Sequence, residues 1–160
     1  MTRPRLLVAG GRNFADRSWL RRVLTRFAID NGDPEVLMHG DASGADRLAG
    51  EWASNSNVPV LRFPARWGDL FDVPPSNIRT NRAGKKYNVR AGFQRNAQMI
   101  TEGNPTHAIV FPGGTGTDDC AYRLDTLTRQ LMRDPVHLLD LRAGPLVDAH
   151  WKMTTARVAA

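Results

Sequence analysis

The sequence predicts a single α/β domain whose mainly parallel sheet is covered by helices on both faces. Short apolar runs typical of buried strands alternate along the chain with amphipathic helical patterns. Glycine clusters follow three of these runs, where a strand turns into a helix. The 160 residues, 41% of them hydrophobic and 24% charged, suffice for one domain with its own core. Alternating strands and helices favour parallel pairing, because each right-handed crossover lays its helix on the sheet.

Five strands are predicted, each from one apolar run: residues 5–9, 36–39, 58–63, 106–111 and 136–139. A helix is predicted between each two successive strands, and a long loop rich in Pro, Asn and Arg precedes the third helix over residues 64–88. Asp16 is expected to cap the first helix and Gly32 to end it, and Ser43 is expected to cap the second. The third helix is predicted over about residues 90–102.

A Rossmann-like, doubly wound sheet of strand order 3-2-1-4-5 is the topology that we expect from this succession. In such sheets ligands bind beyond the carboxyl ends of the strands, where the winding reverses between the first and fourth strands. This rule places the turn at residues 10–13 beside the turn at 112–117. The domain is expected to cover residues 1–141, and residues 142–160 are expected to form a C-terminal tail or a short helix.

The charge and composition of the chain limit the classes of partner and cofactor that we expect. A formal charge of +6 and a pI near 10.4 indicate an anionic partner, such as a nucleotide, a nucleic acid or an acidic lipid. Cys120 is the only cysteine, which excludes an internal disulfide and favours a reducing compartment. The four histidines show no metal-ligand spacing, so we expect no metal and no cofactor. The chain contains no run of about 20 apolar residues, and we expect a cytoplasmic protein without membrane contact.

The glycine-rich turn before the fourth helix is the sharpest candidate site. It consists of Pro112, Gly113, Gly114, Thr115, Gly116 and Thr117. Glycines between a strand and a helix let backbone N–H groups approach an anion, and the helix dipole adds partial positive charge. The turn has neither the Gly-Lys-Ser/Thr ending of a P-loop nor a full G-x-G-x-x-G pattern. A tight turn that needs positive φ at glycine is the alternative interpretation.

Two other turns supply further candidate ligand-binding residues. The first contains Gly10, Gly11, Arg12 and Asn13. Arg12 is suited to a phosphate and Asn13 to a ribose or base, although an ordinary turn with a solvated arginine has the same pattern. In the second turn Ser43 and Asp46 either bind sugar hydroxyls or cap the helix that they precede.

A basic stretch follows the long loop. Residues 73–101 contain no acid, and Tyr87 and Phe93 lie between the basic residues Arg79, Arg82, Lys85, Lys86, Arg90 and Arg95. This mixture suits phosphates or a nucleic-acid backbone. A solvated loop is the alternative over residues 79–86. Trp67 either stacks on a base or anchors the loop.

Four segments together resemble the SLOG superfamily, and within it the YspA/YpsA-related branch. They are residues 8–16 (VAGGRNFAD), 39–49 (HGDASGADRLA) continuing to 53, 63–67 (FPARW) with 91–99 (AGFQRNAQM), and 110–117 (VFPGGTGT). The superfamily includes the LOG cytokinin-activating phosphoribohydrolases and the Smf/DprA DNA-processing proteins. The resemblance implies a nucleotide or nucleotide-derived ligand held by these loops, with Asn96 among the residues that bind it.

The resemblance also implies a catalytic pair for a LOG-type enzyme. Arg95 lies at the position of the catalytic arginine of those enzymes, and Cys120 lies at the position of their catalytic glutamate. Asp119 replaces the acidic residue just before it. A thiol cannot simply replace a carboxylate that steadies developing charge on a ribose, so hydrolysis would need Asp118 or Asp119 as a substitute.

Three functions follow as expectations. The leading one is the sensing or sequestration of a nucleotide or nucleotide-derived small molecule. The alternative is an enzyme that cleaves the N-glycosidic bond of a nucleotide or an NAD-like compound, with Arg95 and Asp119 as catalytic residues. The third is the binding of single-stranded nucleic acid. A homodimer or higher homo-oligomer is a further option.

Overall fold

The strands form one six-stranded sheet and one separate hairpin in residues 2–146 and 153–156, the part of the chain that the computed structural model describes. The strands are β1 (Arg5–Ala9), β2 (Val36–His39), β3 (Val60–Arg62), β4 (Ile78–Thr80), β5 (Lys86–Asn88), β6 (His107–Val110), β7 (His137–Asp140) and β8 (Thr154–Thr155). The helices are α1 (Arg17–Asn31), α2 (Ala45–Asn55), α3 (Ala91–Gly103) and α4 (Thr115–Gln130).

The sheet has the strand order β3-β2-β1-β6-β7-β8. Its first five strands pair in parallel, and β8 joins β7 antiparallel at the edge. The predicted Rossmann-like α/β fold is therefore confirmed. The edge strand β8 was not predicted and falls in the expected tail. The short helix expected in that tail lies largely outside the described residues.

The helices cover both faces of the sheet. Along β1, Leu6 and Val8 belong to the core layer beneath α1 and α2, whereas Leu7 belongs to the layer beneath α3 and α4. Successive side chains of a strand point to opposite faces, so a fully apolar strand feeds two cores at once. None of the described helices combines the length and apolar character that a membrane crossing needs.

Asp16 and Gly44 are the N-cap residues of α1 and α2. Asp16 caps α1 as predicted, because its Oδ1 accepts a hydrogen bond of 3.0 Å from the backbone N–H of Trp19. The prediction that Ser43 caps α2 is wrong. Gly44 occupies the N-cap with φ 76°, and the hydroxyl of Ser43 donates instead to the carbonyl of Arg12, 3.2 Å away.

The long loop contains a short hairpin that the sequence did not reveal. A 3₁₀ turn at Pro75–Asn77 leads into β4, which pairs antiparallel with β5. The backbone N–H of Asn88 donates to the carbonyl of Trp67 at 2.9 Å and so joins the hairpin to the rest of the loop. Three-residue strands are too short for a pattern of alternating polarity to indicate them.

We expect Gly44→Ala to destabilise the protein more than Gly32→Ala. Both glycines have a positive φ, which costs an alanine about 1–3 kcal/mol. A Cβ on Gly32 would meet no atom within 4 Å, whereas one on Gly44 would lie 2.2 Å from the carbonyl oxygen of Gly11. Urea denaturation should give Gly44→Ala an additional loss of about 1–3 kcal/mol. Equal losses would mean that the approach of Gly44 to Gly11 does not constrain the fold.

Candidate functional site

Three glycine turns meet at the carboxyl ends of the central strands. The turn after β1 is joined to the turn after β6 by a 2.8 Å hydrogen bond from the N–H of Gly11 to the carbonyl of Pro112. The same residue is joined to the start of α2, because the N–H of Ala45 donates to the carbonyl of Gly11 at 3.2 Å. These bonds hold the amino ends of α2 and α4 on either side of Gly11.

The glycines before α4 have two different roles. A Cβ on Gly113 would lie 2.1 Å from the hydroxyl of Thr117 and 2.8 Å from the backbone nitrogen of Gly11, so this glycine permits the close approach of two turns. A Cβ on Gly114 or Gly116 would meet no atom within 4 Å. The backbone at Gly114 and Gly116 is therefore open to a ligand, and the backbone at Gly113 is not.

A cavity of about 470 Å³ lies where the turns meet. Ligand pockets for small molecules usually measure roughly 300–1,000 Å³. Most of the predicted ligand-binding residues line it: Gly10, Gly11, Arg12, Asp46, Arg95, Asn96, Gly114, Thr115, Gly116 and Thr117. The predicted residues outside this lining are Asn13, Ser43, Pro112, Gly113 and Asp119. Ser43 lines a smaller adjoining cavity of about 260 Å³.

Several lining residues were not singled out from the sequence as site residues: Gly40, Ala42, Val89, Gly92 and Met99. The glycines at 40 and 92 border the half-buried side chain of Arg95. A Cβ on Gly40 would lie 2.2 Å from its guanidinium, and a Cβ on Gly92 would lie 3.9 Å from the same group. Small residues around a predicted ligand-binding arginine were the signal that could have identified them.

The amino end of α4 forms one wall of the cavity. Gly114 is its N-cap, and in the described residues no side chain caps this end. Thr115, Gly116 and Thr117 form the first turn, whose backbone N–H groups have no acceptor within the helix. The helix dipole adds partial positive charge here. This wall can bind an anion through backbone groups alone.

Arg95 on α3 faces the same cavity. Its Nη1 donates to the carbonyl of Gly40, and its Nε donates to Oδ1 of Asn96 at 3.0 Å. The amide nitrogen of Asn96 donates to the carbonyl of Gly116 and to Oδ2 of Asp119, both at 3.0 Å. Asn96 is 4% exposed. It therefore fixes the guanidinium of Arg95 relative to the first turn of α4.

Among the described residues that line the cavity, Asp46 is the one with a carboxylate side chain. It is 6% exposed, and its Oδ2 accepts hydrogen bonds from the N–H groups of Gly40 at 3.1 Å and Ala42 at 3.3 Å. Burial raises the pKa of Asp46 to about 6, although these two bonds and the charge of Arg95 act in the opposite direction. The carboxyl can accept a hydrogen bond from a ligand hydroxyl.

The two aspartates at the start of α4 form ion pairs with arginines that do not line the cavity. Both oxygens of Asp119 accept from Nε of Arg123, at 3.0 and 2.8 Å. Asp118 is exposed and forms a 2.9 Å ion pair with Arg142. Cys120 does line the cavity, but burial raises the pKa of its thiol to about 12. A protonated thiol is neither a useful nucleophile nor a general base at neutral pH.

Aromatic and apolar side chains form another wall of the cavity. The guanidinium of Arg12 lies 5.0 Å from the centre of the Trp67 ring, within the range of a cation–π contact. Phe93 and Met99 on α3 and Val89 before it complete this wall. The cavity thus has a polar side suited to an anion and an apolar side suited to a flat ring.

His39 lies behind the cavity at the end of β2. It is 2% exposed, and its Nδ1 accepts a 2.9 Å hydrogen bond from the backbone N–H of Asp41. Burial lowers the pKa of His39 to about 4, so the ring is neutral at physiological pH. Among the described residues, no three His, Cys, Asp or Glu side chains could together hold a metal ion.

Comparison with known protein families agrees with this geometry. Residues 4–69 match the model of the YspA, cpYpsA-related SLOG family. The resemblance to the YspA-related branch of the SLOG superfamily is confirmed. The match spans β1 to β3, including the turns around Gly11 and Gly44, while α3 and α4 follow it. It indicates a nucleotide-related ligand-binding or enzymatic function. No curated protein and no solved structure matches the chain.

We expect Asp46 to titrate at a higher pH than His39, the reverse of the usual order of a carboxyl and an imidazole. Burial disfavours the charged form of each group, which raises the pKa of Asp46 to about 6 and lowers that of His39 to about 4. NMR titration of the carboxyl carbon of Asp46 and the ring of His39 measures both. A lower pKa for Asp46 than for His39 would contradict the burial of these two side chains.

The two groups have opposite effects on stability. Between about pH 4 and 6 the folded protein keeps a proton on Asp46 that the unfolded chain has released, so this group lowers stability as pH rises. The unfolded chain keeps a proton on His39 that the folded protein lacks, so His39 raises stability over a similar range. The contributions of these two residues should largely cancel in a pH series of unfolding free energies.

Proposed function

We propose that this protein binds a nucleotide or nucleotide-derived ligand, with a phosphate at the amino end of α4. The observation that carries the proposal is the first turn of α4, which no described side chain caps and which lines the same cavity as the half-buried guanidinium of Arg95. Gly114 and Gly116 leave room for a phosphate to reach the backbone N–H groups. Arg95 supplies a fixed positive charge and a planar pair of donors.

The rest of the ligand extends away from α4 across the cavity. A phosphate beside Asp46 would be repelled when the carboxyl is ionised, so Asp46 suits the sugar, whose hydroxyls donate to a carboxylate. The base then lies against the apolar wall, where Trp67 and Phe93 offer ring surfaces. This order of phosphate, sugar and base matches the polar and apolar sides of the cavity.

Sensing or sequestration is favoured over hydrolysis of the N-glycosidic bond. A LOG-type hydrolase needs a carboxylate beside the ribose, and the position of that carboxylate carries the buried, protonated thiol of Cys120. Asp119 is held by Arg123 and Asn96 and does not line the cavity. The catalytic roles predicted for Arg95 and Asp119 stay predictions, and a ligand-binding role for Arg95 needs neither Asp119 nor a reaction.

We expect Gly114→Val to abolish the binding of nucleoside monophosphates without unfolding the protein. A Cβ at this position would meet no atom within 4 Å, so the valine side chain would project into the space through which a phosphate approaches α4. Calorimetric titration with the four ribonucleoside 5′-monophosphates measures the loss. Gly68→Val is the matched control, because that glycine is equally open and does not line the cavity. A folded Gly114→Val protein that binds as tightly as the parent would refute the phosphate site.

Arg95→Ala should weaken the affinity for a nucleoside monophosphate by about 10- to 150-fold, the value of a charge-assisted contact of roughly 1.5–3 kcal/mol. It should also lower stability, because Arg95 contacts the carbonyl of Gly40 and Asn96. Arg95→Lys keeps the charge and is expected to bind between the parent and Arg95→Ala. Calorimetry on samples that circular dichroism finds folded gives the comparison. Unchanged affinity in Arg95→Ala would remove Arg95 from the site.

A further inference from the structure

Two aromatic rings with an arginine at either end form a row that leads from the cavity onto the hairpin of β4 and β5. Arg12, in the cavity lining, lies over the ring of Trp67 at 5.0 Å. The ring of Trp67 meets that of Tyr87 edge to face, with centroids 6.5 Å apart. Tyr87 pairs in register with Arg79 across the hairpin. We call these four residues the arginine–aromatic row.

The geometry of the hairpin sets which face this row occupies. Residues directly opposite each other in an antiparallel pair project their side chains to the same face. Arg79 and Tyr87 therefore share one face of the hairpin, and the contact of Tyr87 with Trp67 places that face toward the cavity. The Nη1 of Arg79 donates to the carbonyls of Ser76 and Ile78, which holds its guanidinium at the base of the hairpin.

The hairpin beyond the row is positively charged and exposed. Arg82, Lys85 and Lys86 lie at and beside its tip, all of them exposed. The sequence has no acid between residues 73 and 101 that could neutralise them. Within the described residues none of these three side chains, nor Arg79, forms an ion pair. A mononucleotide that fills the cavity would leave this charge without a counterpart.

We infer that the arginine–aromatic row continues the ligand site and binds a single-stranded oligonucleotide whose terminal phosphate lies in the cavity. The inference rests on the proposed phosphate site at α4 and extends its ligand from one nucleotide to several. Flexible single strands are bound by basic grooves in which successive bases stack on aromatic side chains. In this arrangement Arg79 contacts a backbone phosphate and the ring of Tyr87 stacks on a base. An acidic peptide would use the charges and leave the rings unused.

The first experiment compares lengths of ligand. Calorimetry at two or more salt concentrations is performed with homotetranucleotides of each base, phosphorylated at the 5′ or the 3′ end, and with the matching nucleoside monophosphates. We expect at least one tetranucleotide to bind more tightly than its monophosphate and with a steeper dependence on salt, because each further phosphate contact releases counterions. The 5′ and 3′ series identify the end that enters the cavity.

The second experiment changes Tyr87, a member of the row that does not line the cavity. Tyr87→Ala should weaken the tetranucleotide by about 5- to 150-fold, the effect of losing one stacked base. It should leave the monophosphate within about twofold of the parent, and Tyr87→Phe should restore tetranucleotide affinity. Tyr122→Ala is the matched control, because Tyr122 is an exposed tyrosine on α4 outside the cavity lining.

Arg79, the arginine of the row outside the cavity lining, is tested through the salt dependence of binding. Arg79→Ala should reduce the slope of log affinity against log salt by about 0.7 for the tetranucleotide, the value of one phosphate contact on a single strand. Arg22→Ala removes the same charge from the exposed side of α1 and should leave the slope unchanged. If Tyr87→Ala does not fold, Arg79→Ala still tests the inference.

Each negative outcome has one meaning. If monophosphates bind and tetranucleotides gain nothing, the inference fails and the proposed phosphate site stands. The inference also fails if Tyr87→Ala weakens both ligands equally, because Tyr87 then supports the fold of the cavity, or if Arg79→Ala leaves the salt slope unchanged. If neither class of ligand binds to the parent protein, the proposed function itself is refuted, and the inference is refuted with it.

Discussion

The close approach of three backbone turns is the constraint on which the site depends. Gly11 lies between the turn before α2 and the turn before α4, and it bonds to both through Ala45 and Pro112. Side chains at Gly44 or Gly113 would collide with backbone atoms of this centre. The amino ends of two helices can meet beyond the carboxyl ends of the strands only because these positions lack a Cβ. The cavity is the space left open beside that junction.

A chain of partly buried polar contacts extends this junction to α3. Asn96 joins the first turn of α4 to Arg95, and Arg95 reaches the carbonyl of Gly40 at the end of β2. The guanidinium is therefore oriented before any ligand arrives. A ligand that meets preoriented donors loses less free energy to the ordering of side chains, so few contacts suffice for binding. Asp46 takes part in the same network through the N–H of Gly40.

The sequence was sufficient for the sheet order and for the edge where the turns meet, because apolar runs and glycine junctions are local signals. It could not separate Gly113 from Gly114 and Gly116, since their roles depend on what the fold brings opposite each glycine. The cap of α2 was mispredicted for a related reason. Serine is a favourable N-cap residue, but Gly44 occupies the N-cap of α2. The hydroxyl of Ser43 therefore donates a hydrogen bond to the carbonyl of Arg12. The hairpin strands were too short to carry any periodic pattern.

The placement of charge in the cavity argues for an anionic ligand. Arg12 and Arg95 both line it, and while burial lowers the pKa of Arg95, the nearby charge of Arg12 adds to that effect. Asp46, the one carboxylate in the described lining, has a pKa of about 6 and so carries a partly suppressed charge near neutral pH. A phosphate bound next to the carboxylate of Asp46 would raise the pKa of Asp46 further. Because the carboxyl would then be protonated more often, the binding of phosphate would be accompanied by proton uptake. A ligand that keeps its phosphate at α4 and the arginines, with a neutral sugar beside Asp46, avoids that cost.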